Sequence, residues 1–142
     1  MNFVVSGGFD PPHTGHFRYI RDAISRMDVG DKLVVILTRD DQLMSKKQFV
    51  YMPYPERKEV LDWVLEGKGI VYEVVPNVDL DITSTNSLMF YGANVFLKGG
   101  DTWDVKSLPE YQTCMDNHID VLFGVGGLDK VRSSSDLKKH LK

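Results

Sequence analysis

His13 and His16 stand three residues apart in Gly7-Gly8-Phe9-Asp10-Pro11-Pro12-His13-Thr14-Gly15-His16, with Gly15 between them. A helix starting near Thr14 would project both imidazoles from one side of its first turn, toward the positive end of the helix dipole, and Gly15 would let a ligand come close to the backbone. That arrangement suits a polyphosphate. Each ring can donate an N–H to a phosphate oxygen, and a neighbouring anion raises an imidazole pKa and favours the charged form. An isolated H-x-x-H is otherwise a pair of solvated or half-buried polar residues. A zinc pair fits less well, because no Cys or acidic residue lies at metal-ligand spacing and His118 and His140 fall on other expected helices.

A second anion site is expected near the end of the chain. Arg132 precedes Ser133, Ser134 and Ser135 at the start of the last expected helix, so a guanidinium, hydroxyl donors and open backbone N–H groups converge there. One of the serines serves as a helix cap. Lys46 and Lys47 follow the second expected strand, and one of the two is expected to reach phosphate. Gly99 and Gly100 come directly after a strand, where they form a plain turn or let a nucleobase or ribose approach the backbone, and in the second reading Asp101 takes a polar role beside the nucleotide. Asp10 reads as an acceptor that fixes its loop rather than as an acid or base. Arg57 has two readings of equal weight, a helical-surface pair with a nearby Asp or Glu, or, by the family resemblance set out below, one half of a Glu56-Arg57 pair that braces the site. G-x-G-x-x-G, G-x-x-x-x-G-K-[ST] and G-x-S-x-G are all absent, and Cys114 has no histidine at a motif-like spacing.

Short β-branched runs that must position these residues alternate with segments of helical period. Strands are expected over Phe3–Ser6, Lys32–Thr38, Ile70–Val75, Val95–Lys98 and Asp120–Phe123. Phe17, Ile20, Ile24 and Met27 form the apolar stripe of a first helix, with Arg18, Asp22 and Arg26 opposite. A second helix starts at Pro55 and stops at Gly67, a third is capped by Ser84 or Thr85 and ends at Gly92, Ser107 with Glu110 reads as the capping box of a fourth, and a fifth runs from Ser134 to Leu141. Strands apolar on both faces predict a five-stranded parallel sheet with helices on both sides. The fold class is α/β, a single Rossmann-like doubly wound domain over residues 1–142. Ligands in such sheets bind beyond the carboxyl ends of the strands, here the loops 7–16, 39–53, 76–84, 98–106 and 124–135.

Composition narrows the partners. Twenty Asp and Glu against seventeen Lys and Arg leave a formal charge of −3, which argues against a general nucleic-acid coat or a basic membrane-surface protein. The one cysteine, Cys114, can form no internal bridge. The run Leu33–Leu37 is too short to span a bilayer, and no basic n-region precedes Phe3, so a cytoplasmic protein is expected, with no nucleic-acid or membrane partner.

GGFDPPHTGH resembles the FDxxHxGH signature of the nucleotidyltransferase superfamily that includes the glycerol-3-phosphate cytidylyltransferases, the heptose-1-phosphate adenylyltransferases and the pantetheine-phosphate adenylyltransferases; Phe9, Asp10, His13, Gly15 and His16 all fall in place. Thr38-Arg39-Asp40-Asp41, Lys46-Lys47 and Tyr54-Pro55-Glu56-Arg57-Lys58 are similar to the glycerol-3-phosphate enzymes. Lys98-Gly99-Gly100-Asp101 is similar to the KGGD of the heptose-1-phosphate enzymes, and Arg132-Ser133-Ser134-Ser135 sits where the superfamily carries RTxGISTT or ISSS. The resemblance implies joining of an NTP to a small phosphorylated acceptor with release of pyrophosphate. It gives His13 and His16 the α-phosphate and Arg132 with Ser133, Ser134 and Ser135 the β- and γ-phosphates, with Mg²⁺ accompanying the NTP; beside them Lys46 is expected as a catalytic residue and Gly7, Gly8, Phe9, Asp10, Gly15, Lys47, Lys98, Gly99 and Asp101 as nucleotide contacts. CTP with glycerol 3-phosphate is favoured; ATP with a sugar phosphate, or a nucleotide-binding module without turnover, are the alternatives. Related enzymes are often homodimers, and the exposed-looking Phe49–Met52 stretch is a candidate contact or a lid.

Overall fold

A computed structural model describes residues 1–99 and 108–127. Five strands, β1 (Asn2–Gly7), β2 (Lys32–Leu37), β3 (Val71–Pro76), β4 (Val95–Gly99) and β5 (Asp120–Val125), lie within a residue or two of the runs expected from β-branched composition. They form one sheet in the order β3-β2-β1-β4-β5, with every neighbouring pair parallel. The chain runs outward from β1 through β2 to β3, then crosses back to place β4 on the other side of β1. This reversal puts the topological switch point between β1 and β4, where the loops leaving the two strands part and open a crevice.

Side chains alternate across the pleat, so each central strand feeds two cores. On one face Phe3, Val5, Leu33, Val35 and Leu97 pack with Ile20 and Ala23 of α1 (Thr14–Ser25) and with Leu61 and Leu65 of α3 (Tyr54–Leu65). On the other, Val4, Val34, Ile36 and Phe96 pack with Leu88 of α4 (Thr85–Phe90) and Cys114 of α5 (Tyr111–Asp116). The doubly wound α/β arrangement expected from two-sided apolar strands is therefore present.

Three local expectations change. Residues 39–53 contain a helix, α2 (Asp40–Lys47), where a loop was expected. Its core contribution is small, with Gln42 and Leu43 buried and Met44 exposed, so no apolar period betrays it. Its charges do: Asp40 and Asp41 in the first turn and Lys46 and Lys47 in the last complement the helix dipole. Secondly, Glu110 is the N-cap of α5 rather than the third residue of a capping box begun by Ser107. Thirdly, Ser84 occupies the N-cap position of α4 without a side-chain cap bond. Asp79 caps from outside, its carboxylate accepting from the N–H groups of Asn86 (2.7 Å) and Ser87 (2.9 Å) and from Ser87 Oγ (2.7 Å). On α1 the buried residues are Tyr19, Ile20 and Ala23, with Phe17, Ile24 and Met27 flanking them half-buried. The helix from Ser134 to Leu141 lies outside the described residues.

Candidate active site

The segment after β1 is built by packing and by one carboxylate. Phe9 has a positive φ of 48°, and its ring is 1% exposed. A side chain on Gly7 would meet that ring at 3.2 Å, and one on Gly8 would meet Leu43 at 3.1 Å, so both glycines answer to space. Asp10 is buried, and its carboxylate accepts from the N–H groups of Met52 (2.7 Å) and Tyr51 (2.9 Å) and from Lys47 Nζ (3.2 Å). It thereby ties the first loop to the segment after α2, the fixing role its position suggested. Residues 49–52 are half-buried rather than exposed, with Tyr51 and Met52 held on this carboxylate.

The two histidines cap α1. His13 Nδ1 accepts from the Gly15 N–H (3.1 Å), and His16 Nδ1 accepts from the His13 N–H (3.2 Å). Their rings stack with centroids 3.7 Å apart, and the Phe9 ring meets His16 edge-on at 4.8 Å. Because both Nδ1 atoms accept, the ring proton of each neutral imidazole sits on Nε2. Burial, then the adjacent His13 and Lys47, lower the His16 pKa to about 3. With no anion bound, His16 is therefore a neutral N–H donor, not the cation that a neighbouring anion would favour.

Arg57 resolves in favour of the brace. It is 0% exposed, and its Nη1 donates to the carbonyls of Gly8 and Thr38 (2.7 Å each), Nε to that of Met52 (2.8 Å), and Nη2 to Asp40 Oδ1 (2.7 Å). One guanidinium thus joins the segments leaving β1 and β2, the start of α2 and the run into α3. Asp40 Oδ1 also receives the Tyr54 N–H at 2.9 Å, which locks the start of α3 to α2.

A cavity of about 760 Å³ opens at the carboxyl ends of β1, β2 and β4. Gly7, Gly8, Phe9, Asp10, His16, Lys46, Lys47 and Lys98 all line it, so residues as far apart in sequence as Gly7 and Lys98 meet at the switch point. His13 stacks beneath His16, Gly15 lies in the first turn of α1, and Gly99 packs against the Tyr19 ring, whose hydroxyl donates to the Leu97 carbonyl. Lys47 is held by Asp10, whereas Lys46 is exposed and makes no ion pair with the described residues. Asp101, Arg132, Ser133, Ser134 and Ser135 lie outside the described residues. Among the other lining residues, none of them singled out as a ligand, are Ser84, whose place after β3 on the ligand edge was a usable signal, and Glu110, for which the sequence holds none. Among the described residues no group of three or more His, Cys, Asp or Glu could hold a metal ion, and no helix is long and apolar enough to cross a membrane.

Residues 4–137 match the model of the cytidylyltransferase-like family. The chain is 28% identical over 103 residues to a glycerol-3-phosphate cytidylyltransferase of Bacillus subtilis, covering 72% of this chain and 73% of that one. It is 30% identical over 100 residues to an FAD synthase of Thermococcus kodakarensis, covering 64% of this chain and 65% of that protein. Over 78 residues it is 30% identical to a probable nicotinate-nucleotide adenylyltransferase of a Sulfurovum species, of which it spans 36%. In fold it is similar to the crystal structure of a lipopolysaccharide core biosynthesis protein from Thermoplasma volcanium, at a TM-score of 0.66 and 18% identity, covering 87% of this chain and 94% of that one.

Proposed function

This chain belongs to the cytidylyltransferase-like family, and from that premise we propose that it joins an NTP, CTP in first place, to a small phosphorylated acceptor such as glycerol 3-phosphate. The observation that carries this reading is the capped histidine pair: both Nδ1 atoms are engaged by backbone N–H groups, so the Nε2–H of His16, stacked on His13, is preset as a donor in a switch-point cavity that Lys46 and Lys47 also line.

The acceptor phosphate is already anionic at neutral pH and needs no strong base to attack the α-phosphorus as pyrophosphate leaves. The protein's task is to hold the two reactants in line and to present donors and positive charge to the phosphoryl oxygens. His16 and His13 serve as those donors at the α-phosphate. Lys46 is the lysine we assign to phosphate, because Lys47 is occupied in holding the Asp10 loop. Arg132 with Ser133, Ser134 and Ser135 takes the β- and γ-phosphates in this reading. A Mg²⁺ arriving with the nucleotide would screen phosphate charge while these residues supply the donors.

Pyrophosphate release, measured for four NTPs against glycerol 3-phosphate, heptose 1-phosphate, phosphocholine and FMN, tests this. Release with CTP and glycerol 3-phosphate is expected. Release only with ATP and the sugar phosphate would favour the reading suggested by Lys98–Asp101, and tight NTP binding without release would favour a non-catalytic module. With the productive pair, His16→Ala should lower turnover by at least about 10²–10³ while the far-UV spectrum stays native, the usual cost of losing one preorganised donor; near-normal turnover would refute the role given to His16.

A further inference from the structure

The reading above leaves one buried charged group in the cavity without a task. Glu110 is 4% exposed and lines the cavity together with Ser84, Lys98 and His16. Its Oε2 has no hydrogen-bond partner among the described residues, and its side chain makes no cap bond to α5 although it occupies the N-cap position. Burying an ionisable carboxyl with an unsatisfied oxygen is costly, and a cavity residue that bears this cost is poised for a ligand. Burial holds its pKa above the usual carboxylate range, and Lys98 and the Ser84 N–H pull it back toward the charged form.

The sign of the charge decides which part of a ligand can lie there. A carboxylate repels phosphate, whereas Lys46 and the His16 donor at the same cavity attract it. Charge alone therefore favours a reactant whose phosphates are taken by Lys46 and the His16 donor and whose uncharged part faces Glu110. We infer that Glu110 is a further specificity-determining residue of this site, whose Oε2 accepts a hydrogen bond from an uncharged O–H or N–H group on a bound reactant. This inference rests on the proposed function. The donor can be a hydroxyl of the acceptor, or a ribose hydroxyl or ring amine of the nucleotide, and the chemistry required of each is the same.

The test compares wild type with Glu110→Ala and with the isosteric Glu110→Gln, which guards against misfolding of the first. Calorimetry gives the Kd of CTP, ATP and glycerol 3-phosphate separately, and a thermal melt gives Tm. Glu110→Ala should weaken one reactant by about tenfold or more and leave the other within about twofold, the size expected for one hydrogen bond to a charged group. Glu110→Gln, which keeps an acceptor oxygen, should recover part of the loss. Weakening confined to the nucleotides places the donor on the nucleoside, and weakening confined to glycerol 3-phosphate places it on the acceptor. Tm should hold or rise, since a buried charge has been removed. Affinities unchanged in both variants, or a fall in Tm with both reactants weakened together, would overturn the inference. If wild type binds nucleotide but releases no pyrophosphate with any pair, the functional reading falls while the comparison of Kd values still decides Glu110; if it binds none of the three, both fall.

Discussion

His16 is the residue on which the proposed chemistry depends most. Its depressed pKa has a consequence for stability as well as for the reaction. In the unfolded chain the imidazole titrates near 6.5, and in the folded protein near 3. Between those values the unfolded state binds more protons than the native one, so stability falls as pH drops below about 6.5 and the loss is complete near 3. A denaturant series from pH 7 to pH 4 should show this decline, reduced in His16→Gln, which cannot titrate. Proton NMR of the protein without nucleotide should find no His16 titration between about pH 5 and 8, a range in which an unperturbed imidazole changes charge. Phe9 shows a different cost at the same scale. An aromatic residue at φ 48° is strained by on the order of 1–3 kcal/mol, and it is held there because its ring is buried against the core and against His16. Nothing in the ten-residue motif announces that strain, since it arises from what the ring packs on.

At the scale of elements, the site is held by groups that join the ends of helices and strands. Arg57 is the main one. Replacing it with Met keeps much of its volume but leaves the carbonyls of Gly8, Thr38 and Met52 without their donor. Arg57→Met should therefore cost on the order of 3 kcal/mol in urea unfolding, because each buried acceptor left unsatisfied carries its own penalty. Gly126 performs a similar task after β5. Its φ is 93°, its N–H donates to Asp22 Oδ2 at 2.7 Å, and an added Cβ would stand 3.0 Å from the Tyr19 Cα. Gly126→Ala must either move α1 or abandon that bond, and should cost about 1–3 kcal/mol by the same measurement. Asp22, expected on the solvent face of α1, is thus a contact to the end of β5. The sequence pattern placed α1 correctly but missed this turn of the helix, because a carboxylate that accepts a distant N–H looks like any surface Asp.

For the whole molecule, the sheet divides the interior into two cores that share strands but not side chains. Leu61 lies in one and Leu88 in the other, both fully buried. Each truncation to Ala should cost about 2–5 kcal/mol, and the double variant should lose the sum to within about 0.5 kcal/mol, since the two cavities share no partners. A larger interaction term in the double-mutant cycle would mean that the sheet transmits repacking from one face to the other. The same architecture gathers cations at one edge of a chain of net charge −3, as the proposed polyanion site requires. Parallel strands deliver Ser6, Thr38 and Lys98 to one edge, and the reversal of strand order opens that edge beside the cap of α1. Strand positions, the helix at Thr14, the two-sided sheet and the histidine motif were all legible in the amino-acid order, because periodicity, cap chemistry and a short motif are local properties of a chain. The burial of Arg57, the pairing of Lys47 with Asp10, the neutral state of His16 and the place of Glu110 on the cavity wall were not. Each depends on groups far apart in sequence meeting in a medium that excludes water, and only the tertiary fold decides which groups those are.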